Sequence, residues 1–139
     1  MKLRLIQEGQ AFTIFAVDTG RATDFHIVEA DWEGREPDWS QLWARIDNLA
    51  ERGPIFDNKK YRPLGHGIFE IKTKREGFRV PFFYCGRGVV VFTHAFAKGE
   101  PTDREIDRAK QIRSAVVKAV TNDDYTLIAE AMPRRLPSA

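Results

Sequence analysis

Residues 68–96 contain three short apolar runs that are separated by glycine-containing turns, and in the first two runs like side chains recur at every second position. A repeat of two residues is typical of β-strands that bury one face, whereas helices repeat every 3.6 residues. Consecutive strands joined by short turns pair antiparallel. The chain is therefore predicted to contain a three-stranded antiparallel meander, with strands at residues 67–74, 78–84 and 89–96.

The first turn, Glu76-Gly77, determines which residues of the first two strands face each other. A two-residue loop there places Lys74 opposite Arg79 and Lys72 opposite Pro81. Lys72, Lys74 and Arg79 then share one face, although like charges across a hairpin are normally destabilising. A ligand outside the fold is one reason for such an arrangement. Pro81 cannot donate a ladder hydrogen bond, and it predicts a bulge or bend.

The second turn, Gly86-Arg87-Gly88, sets the register of the third strand. If Arg87-Gly88 forms the loop, His94 lies across from Pro81. Phe92 then lies across from Phe83. A slip of one residue would move every side chain of the third strand to the other face.

One helix is predicted on each side of the meander. The first is expected to begin at Asp38, an N-cap residue with Gln41 three residues later, and to stop at Gly53-Pro54. The second opens with Thr102 and Glu105, which fit a capping box. Apolar residues recur at helical spacing in both helices, at Trp39, Leu42, Trp43, Ile46 and Leu49 and again at Ile106, Ala109, Ile112, Ala115 and Val116. The polar positions of the second helix include Arg104, Arg108 and Arg113.

The N-terminal part is predicted to add a strand at residues 12–16, which runs into a turn at Asp18-Thr19-Gly20. Residues 25–29 alternate again and are predicted to return as the second strand of an N-terminal hairpin. Residues 1–120 then form a single domain, and residues 121–139 form a C-terminal extension that is partly disordered. The predicted fold class is α+β: a twisted antiparallel sheet packed with a helix before and a helix after the meander.

Composition excludes several classes of protein. With 139 residues, 42% of them hydrophobic and 30% charged, the chain has the profile of a single globular domain. No apolar run approaches the roughly 18 to 20 residues that cross a bilayer, and the basic N-terminus lacks a secretory apolar region, so we expect a cytoplasmic protein without a membrane partner. The single cysteine, Cys85, rules out an internal disulfide and a cysteine-based zinc site. No phosphate-binding glycine loop, paired-histidine motif or serine elbow occurs, so we predict neither a metal nor a small-molecule cofactor.

The remaining chemistry resides in cations and histidines that lie among aromatic residues. Cations neutralise phosphates, aromatic faces stack on unpaired bases, and histidine or tyrosine can transfer a proton during attack by a ribose 2′-hydroxyl. Metal-free RNA cleavage requires only these groups. The candidates are Lys72, Lys74, Arg75, Arg79, Lys98, His66 and His94, together with Phe78, Phe83 and Tyr84.

Each candidate also has a structural interpretation. Lysines and arginines beside a hairpin turn, from Lys72 to Arg75, can form a solvated strand edge that discourages aggregation. Arg79 lies in an inner-strand pattern, where a cation needs either a partner or a ligand. His94 fits a hydrogen-bonded core residue, and His66 fits a tight loop between two glycines.

Four segments, in this order and spacing, resemble the RelE/HigB toxin superfamily and its phage-derived, HigB-like branch. Members of this branch share an aliphatic-Glu-aliphatic-Arg/Lys strand, an Arg-Val-aromatic-Tyr strand, an apolar strand ending in His-x-Phe-x-Lys and a helix that opens with Pro-x-x-Glu-Ile. The resemblance extends from about residue 53 to residue 113. The segments are Leu64–Lys72, Phe78–Tyr84, Val89–Lys98 and Pro101–Ala109.

The resemblance implies a toxin of a type II toxin–antitoxin system, a ribosome-dependent mRNA endonuclease that uses 2′-hydroxyl attack without a metal. Lys72 and Arg79 would then stabilise the phosphate, and His94 or Tyr84 would transfer the proton. Lys98 would add a phosphate contact, and with Lys74, Arg75 and His66 from the residue-based candidates it completes the predicted RNA-binding set. The partners implied are mRNA, the ribosome and a cognate helix-turn-helix antitoxin. Family members carry two helices between the first strand and the meander, whereas residues 23–32 are predicted here to be extended.

Two other functions fit the same residues. A catalytically weak relative would keep the fold as an interaction module that binds an antitoxin or a host factor. A phage structural or regulatory protein would use the fold for an unrelated purpose.

Overall fold

A computed structural model describes residues 1–31, 36–53, 61–73, 79–96 and 102–129. Within these residues it contains seven strands and three helices, so the predicted α+β class is confirmed, although the sheet is larger than the predicted meander with an N-terminal strand or hairpin. The elements are β1 (Lys2–Glu8), β2 (Thr13–Val17), α1 (Phe25–Asp31), α2 (Glu36–Arg52), β3 (Tyr61–Gly65), β4 (Ile68–Lys72), β5 (Arg79–Tyr84), β6 (Val89–Phe92), α3 (Asp103–Thr121) and β7 (Thr126–Ile128).

The strands form one sheet in the order β3-β4-β5-β6-β2-β1-β7. The predicted meander is its β4-β5-β6 part, and β2 continues the sheet by pairing parallel to β6. After α3 the chain adds β7 parallel to β1, so residues 126–128 of the predicted C-terminal extension belong to the sheet. Residues 130–139 lie outside the described residues. No helix in the described part of the chain is both long and apolar enough to cross a membrane.

The predicted N-terminal hairpin is wrong in its second strand. β2 pairs antiparallel with β1, and the segment predicted to return as a strand is helix α1. Phe25 is buried and Val28 packs on the same core, a spacing of three residues that a helix places on one face. The backbone carbonyl of Asp24 accepts the N–H groups of Ile27 and Val28, which closes the first turn. A seven-residue segment fits both the strand period of two and the helical period of 3.6. Helices α1 and α2 are two helices between the first strand and the meander, as in the family described above.

Helix α2 is confirmed, but it begins at Glu36, so Asp38 lies inside it and is not its N-cap. Its predicted stop is confirmed, because the helix ends at Arg52 and the N–H of Gly53, at φ 83°, bonds to the carbonyl of Leu49. The apolar face of α2 packs on one face of the sheet. The buried residues of this layer include Trp39, Leu42, Trp43, Ile46, Leu49, Ile14, Ile71, Phe82 and Phe92.

Helix α3 covers the opposite face of the sheet. Thr102 is its N-cap and accepts the N–H of Glu105 at 3.4 Å, as the capping box predicted. The layer under α3 contains Leu3, Val17, Ile68, Phe83, Val91, Ala109 and Val116. Arg104 is exposed, whereas Arg108 and Arg113 are half-buried and are therefore not simple solvated positions.

The register of the first hairpin differs from the prediction by two residues. Lys72 pairs with Arg79 and Glu70 pairs with Pro81, not Lys74 with Arg79 and Lys72 with Pro81. The predicted turn at Glu76-Gly77 lies outside the described residues. A shift of two residues preserves the face of each side chain, and Lys72 and Arg79 therefore still share one.

The register of the third strand slips by one residue, which corrects two pairings. Phe92 lies opposite Phe82 instead of Phe83, because the N–H of Cys85 bonds to the carbonyl of Val89 and leaves three residues in the turn. His94 does not face Pro81.

The irregularity predicted at Pro81 lies on the facing strand. The N–H of Thr93 bonds to the carbonyl of Pro81 at 2.9 Å, and the next pairing joins Arg79 to Phe96. The third strand therefore has one more residue than β5 in this interval, which is the arrangement of a β-bulge. His94 lies within this bulge.

Candidate functional site

Two arginines contact one buried carboxylate at the end of the sheet where β4 ends and β5 begins, and Lys72 lies on the same sheet face. Glu70 is fully buried, and its Oε1 lies 3.2 Å from Arg62 Nε and 3.9 Å from Arg79 Nη1. Arg62 is the cross-strand partner of Glu70, and Lys72 is that of Arg79. We call Arg62, Glu70, Lys72 and Arg79 the β3–β5 cluster; three positive charges and one negative charge leave it net positive.

The buried carboxylate explains how the fold accommodates Arg79. Burial removes the carboxylate of Glu70 from water, so its ionised form requires cationic partners. The guanidinium groups of Arg62 and Arg79 provide them. Arg79 is only 7% exposed, and the ion pair between its Nη1 and Oε1 of Glu70 offsets its buried charge. Of the two explanations for a cation in this inner strand, the structure therefore shows the carboxylate partner. A role in RNA cleavage stays a prediction.

Lys72 is the more accessible of the two predicted phosphate-binding cations. Its side chain is half-buried, and its carbonyl accepts a hydrogen bond from Nη1 of Arg45, which comes from α2. Because Arg45 is itself buried, it fixes the end of β4 relative to α2. Lys74, Arg75 and Lys98 lie outside the described residues, so their predicted RNA contacts stay predictions.

His94 is 1% exposed and has hydrogen-bonding partners at both ring nitrogens. Nε2 lies 2.7 Å from Oε2 of Glu105, and Nδ1 lies 2.9 Å from the hydroxyl of Thr93. Burial lowers the pKa of His94, against the opposing effect of Glu105, so the neutral ring is favoured. A neutral ring is satisfied when Nε2–H donates to Glu105 and Nδ1 accepts from Thr93.

Burial keeps the imidazole of His94 from direct contact with solvent or with a bound molecule. Glu105 is 26% exposed, and it is the part of the pair that reaches solvent. The His94 ring stacks on Phe96 at 5.5 Å, and the backbone of Phe96 pairs with Arg79. The pair Glu105–His94 therefore adjoins the β3–β5 cluster on the α3 face of the sheet.

Tyr84 lies on the other face of the sheet. It is separated by five residues from Arg79 in the same strand, and strand residues an odd number apart point in opposite directions. Its ring packs against Phe12, Phe69 and Phe82 at centroid distances of 5.3, 5.5 and 5.9 Å. Burial raises the pKa of Tyr84. The structure therefore does not bring Tyr84 together with Arg79.

His66 is also distant from the cluster. It is exposed, has φ 56° and occupies the turn from β3 to β4, whereas Lys72 is at the opposite end of β4. The four residue steps from Ile68 to Lys72 span about 13 Å. The predicted RNA contact of His66 would therefore lie at the far end of the sheet.

Three residues of this region were not among the site residues predicted from the sequence. Glu70 lies between Phe69 and Ile71, and a carboxylate in the middle of a buried strand is the signal that a cationic partner is near. Arg62 gave no such signal, because β3 contains Pro63 and was not predicted as a strand. Glu105 was assigned only to the helix cap, although its carboxylate binds His94.

A second polar group lies between β2 and α1. Ligand atoms of Asp18, Asp24 and His26 lie within 4.8 Å of one another. Both carboxylates have partners in the protein: Asp18 accepts from Arg4 at 2.9 and 3.1 Å, and Asp24 accepts from the N–H and hydroxyl of Thr19. These bonds explain the group as a structural network that fixes the start of α1.

Comparison with known proteins gives one family. The model of the family described as Phage derived protein Gp49-like (DUF891) matches residues 39–114, which is more than half of the 139-residue chain. The match covers most of α2, β3 to β6 and most of α3, and thus the whole β3–β5 cluster and the Glu105–His94 pair. A search of curated proteins finds no match.

Proposed function

The chain belongs to the Gp49-like family of phage-derived proteins, a family of RelE/HigB-like toxins, and we propose that it is a toxin that cleaves mRNA on the ribosome. Its partners in this proposal are mRNA, the ribosome and a helix-turn-helix antitoxin. The observation that carries the proposal is the pairing of Lys72 with Arg79. Like charges directly opposite each other in a ladder cost stability. Glu70 offsets part of that cost, and an anionic ligand bound to the cations of the β3–β5 cluster would offset the rest.

The proposed reaction is an intramolecular transesterification that breaks one phosphodiester linkage of the RNA. The 2′-oxygen attacks the adjacent phosphorus, the bond from phosphorus to the 5′-oxygen breaks, and a 2′,3′-cyclic phosphate and a 5′-hydroxyl result. The 2′-hydroxyl loses its proton and the leaving 5′-oxygen gains one. Lys72 and Arg79 would stabilise the negative charge that develops on the phosphate oxygens.

We assign proton transfer to the Glu105–His94 pair rather than to Tyr84. The pair lies on the same sheet face as Arg79 and reaches solvent through Glu105, whereas Tyr84 lies on the other face. In this assignment Glu105 contacts the RNA, and His94 positions the carboxylate through the 2.7 Å contact.

One observation favours the alternative of an interaction protein with weak catalysis. Arg79 and His94, two of the residues predicted to act on RNA, are 7% and 1% exposed. If they remain buried on the ribosome, the same surface would serve to bind an antitoxin.

Induced expression in a bacterial host separates the two functions. The toxin predicts growth arrest and new mRNA 5′-ends within translated reading frames. Arg79→Ala, shown to be folded by circular dichroism, should abolish both effects, and Arg87→Ala, an exposed arginine in the turn at the other end of β5, should not. Normal growth with soluble wild-type protein would leave the interaction protein.

A further inference from the structure

A groove of about 750 Å³ lies between α3 and the loop that connects β2 to α1. Its charged lining consists of Arg21, Arg104, Arg108 and Asp107, three cations and one anion. No part of the RNA chemistry described above uses these residues. They were also outside the predicted RNA-binding set.

The cations of the groove are available to an external anion. Arg21 and Arg104 are exposed, and neither forms an ion pair with a carboxylate in the described part of the chain. Arg108 is held in place, because its Nη2 donates to the hydroxyl of Thr23 at 2.7 Å. The one acidic residue, Asp107, lies 3.7 Å from Lys110 and is partly neutralised by it.

The groove also has apolar walls. Met1, Val17, Ile112 and Ala115 line it between the charged residues. A free inorganic anion would gain nothing from such walls, whereas the sugar and base of a nucleotide can pack on them while its phosphate meets a guanidinium group.

The position of the groove links it to the β3–β5 cluster. The residues at the C-terminal ends of β4 and β2 lie at one end of the sheet, because β2 is parallel to β6 and the meander between β4 and β6 is antiparallel. Three strand spacings separate β4 from β2, which is about 14 Å. Val17 of the groove and Ile68 of β4 contribute to the same apolar layer under α3, so the groove and the cluster share a sheet face. The N–H of Ala95, next to His94, bonds to the carbonyl of Thr23 at the groove.

We propose that this groove binds the phosphate backbone of a single-stranded RNA, as a second contact beside the β3–β5 cluster. The choice of RNA rests on the proposed function. Cations that recur along one end of the sheet match an RNA strand, which carries one negative charge per nucleotide. An acidic peptide would be a ligand of a different class.

The test is the binding of purified full-length protein to a labelled single-stranded RNA of about 12 nucleotides. The RNA carries 2′-O-methyl groups, so it cannot be cleaved by 2′-hydroxyl attack. The double variant Arg21→Ala/Arg104→Ala is compared with Arg87→Ala, which removes an exposed arginine at the opposite end of the sheet. Thermal unfolding confirms that each variant is folded.

The double variant should bind at least about tenfold more weakly, and Arg87→Ala should bind like the wild type. The slope of log K against log salt concentration should become less negative by about 1.4, since each phosphate contact on a single strand contributes about 0.7. Unchanged affinity and slope would overturn the proposal. So would loss of binding to a polyglutamate peptide with RNA binding retained, which would identify an acidic protein as the ligand.

The assay contains no ribosome and no cleavable bond, so it distinguishes failure of the groove from failure of the nuclease. Groove-dependent RNA binding by a protein that causes no growth arrest supports the groove and refutes only the nuclease. Arrest that persists in the double variant, with RNA binding unchanged, refutes only the groove.

Discussion

Arg79 lies directly across from Lys72 in the ladder between β4 and β5. Two cations in this position repel each other, and the fully buried Glu70, 3.9 Å from Arg79, supplies the compensating charge. The buried carboxylate of Glu70 thus helps to hold Arg79 beside Lys72. The proposed function and the first prediction both depend on this relationship.

Removal of the charge of Glu70 should destabilise the protein strongly. Glu70→Gln leaves two guanidinium groups around a neutral amide, and loss of one member of a buried pair costs about 3–5 kcal/mol. Urea denaturation measures the free energy of unfolding. Glu51→Gln, an exposed position on α2, should change it by less than about 0.5 kcal/mol. Equal stability of the two variants would show that Glu70 does not hold the cluster.

Stability should fall with acidification because of His94. Burial lowers the pKa of its imidazole below the ordinary 6.5, so the unfolded chain takes up a proton at a pH where the folded protein does not. This contribution is complete above pH 6.5 and is lost as the pH falls through the lowered folded value. His94→Gln should remove that part of the pH dependence, measured as the midpoint of urea denaturation at several pH values.

The control for the pH experiment is His66→Asn. His66 is exposed in the turn between β3 and β4, and asparagine tolerates its positive φ. Its stability profile should parallel that of the wild type. A His94→Gln profile that also parallels the wild type would mean that the folded protein does not lower the pKa of His94, and it would contradict the prediction.

Gly9 should not tolerate a side chain. A Cβ atom there would lie 2.3 Å from the carbonyl oxygen of Ala50, which accepts the N–H groups of Ala11 and Phe12. Gly9→Ala must displace the turn between β1 and β2 from the end of α2, at a cost of about 1–3 kcal/mol. Thermal unfolding compares it with Gly20→Ala, where φ is 77° but no atom lies within 4 Å. Gly20→Ala should cost about 1 kcal/mol or less, and a larger loss than at Gly9 would contradict the packing described.

Cleavage of mRNA should depend on Glu105 and not on the hydroxyl of Tyr84. Tyr84→Phe keeps the ring packed against Phe12 and removes only a hydroxyl on the far face of the sheet. It should cleave at a rate close to that of the wild type, whereas Glu105→Gln should be slower by about 10²- to 10⁴-fold. Primer extension on mRNA from induced cells gives both rates. An inactive but folded Tyr84→Phe protein would return the proton-transfer role to Tyr84.

The elements that sequence predicted well are those with a complete local pattern. Strands β4 and β5 follow a repeat of two and β6 is a short apolar run after a glycine turn, and α2 and α3 carry apolar stripes together with a stop at Gly53 or a cap at Thr102. Helix α1 failed because seven residues do not distinguish a period of two from one of 3.6.

The features that sequence did not predict depend on tertiary contacts. Two edge strands, β3 and β7, have little apolar alternation, and pairing with a neighbour defines them. The register from Lys72 to Arg79 depends on the length of the connection between the strands. The contact between Arg62 and Glu70 exists only because β3 pairs with β4. The sequence pattern therefore identified cations of the site, but not the carboxylate that binds them.

The most direct test of the account is the rate at which the purified protein cleaves a reporter mRNA during cell-free translation. Lys72→Ala is the informative variant, because Lys72 is more exposed than Arg79 and its loss leaves the contact between Arg79 and Glu70 in place. The account predicts cleavage by the wild type, a loss of about 10²-fold or more in Lys72→Ala, and the wild-type rate in Arg87→Ala. A folded wild-type protein that leaves the mRNA intact, or a Lys72→Ala variant that cleaves at the wild-type rate, would contradict it.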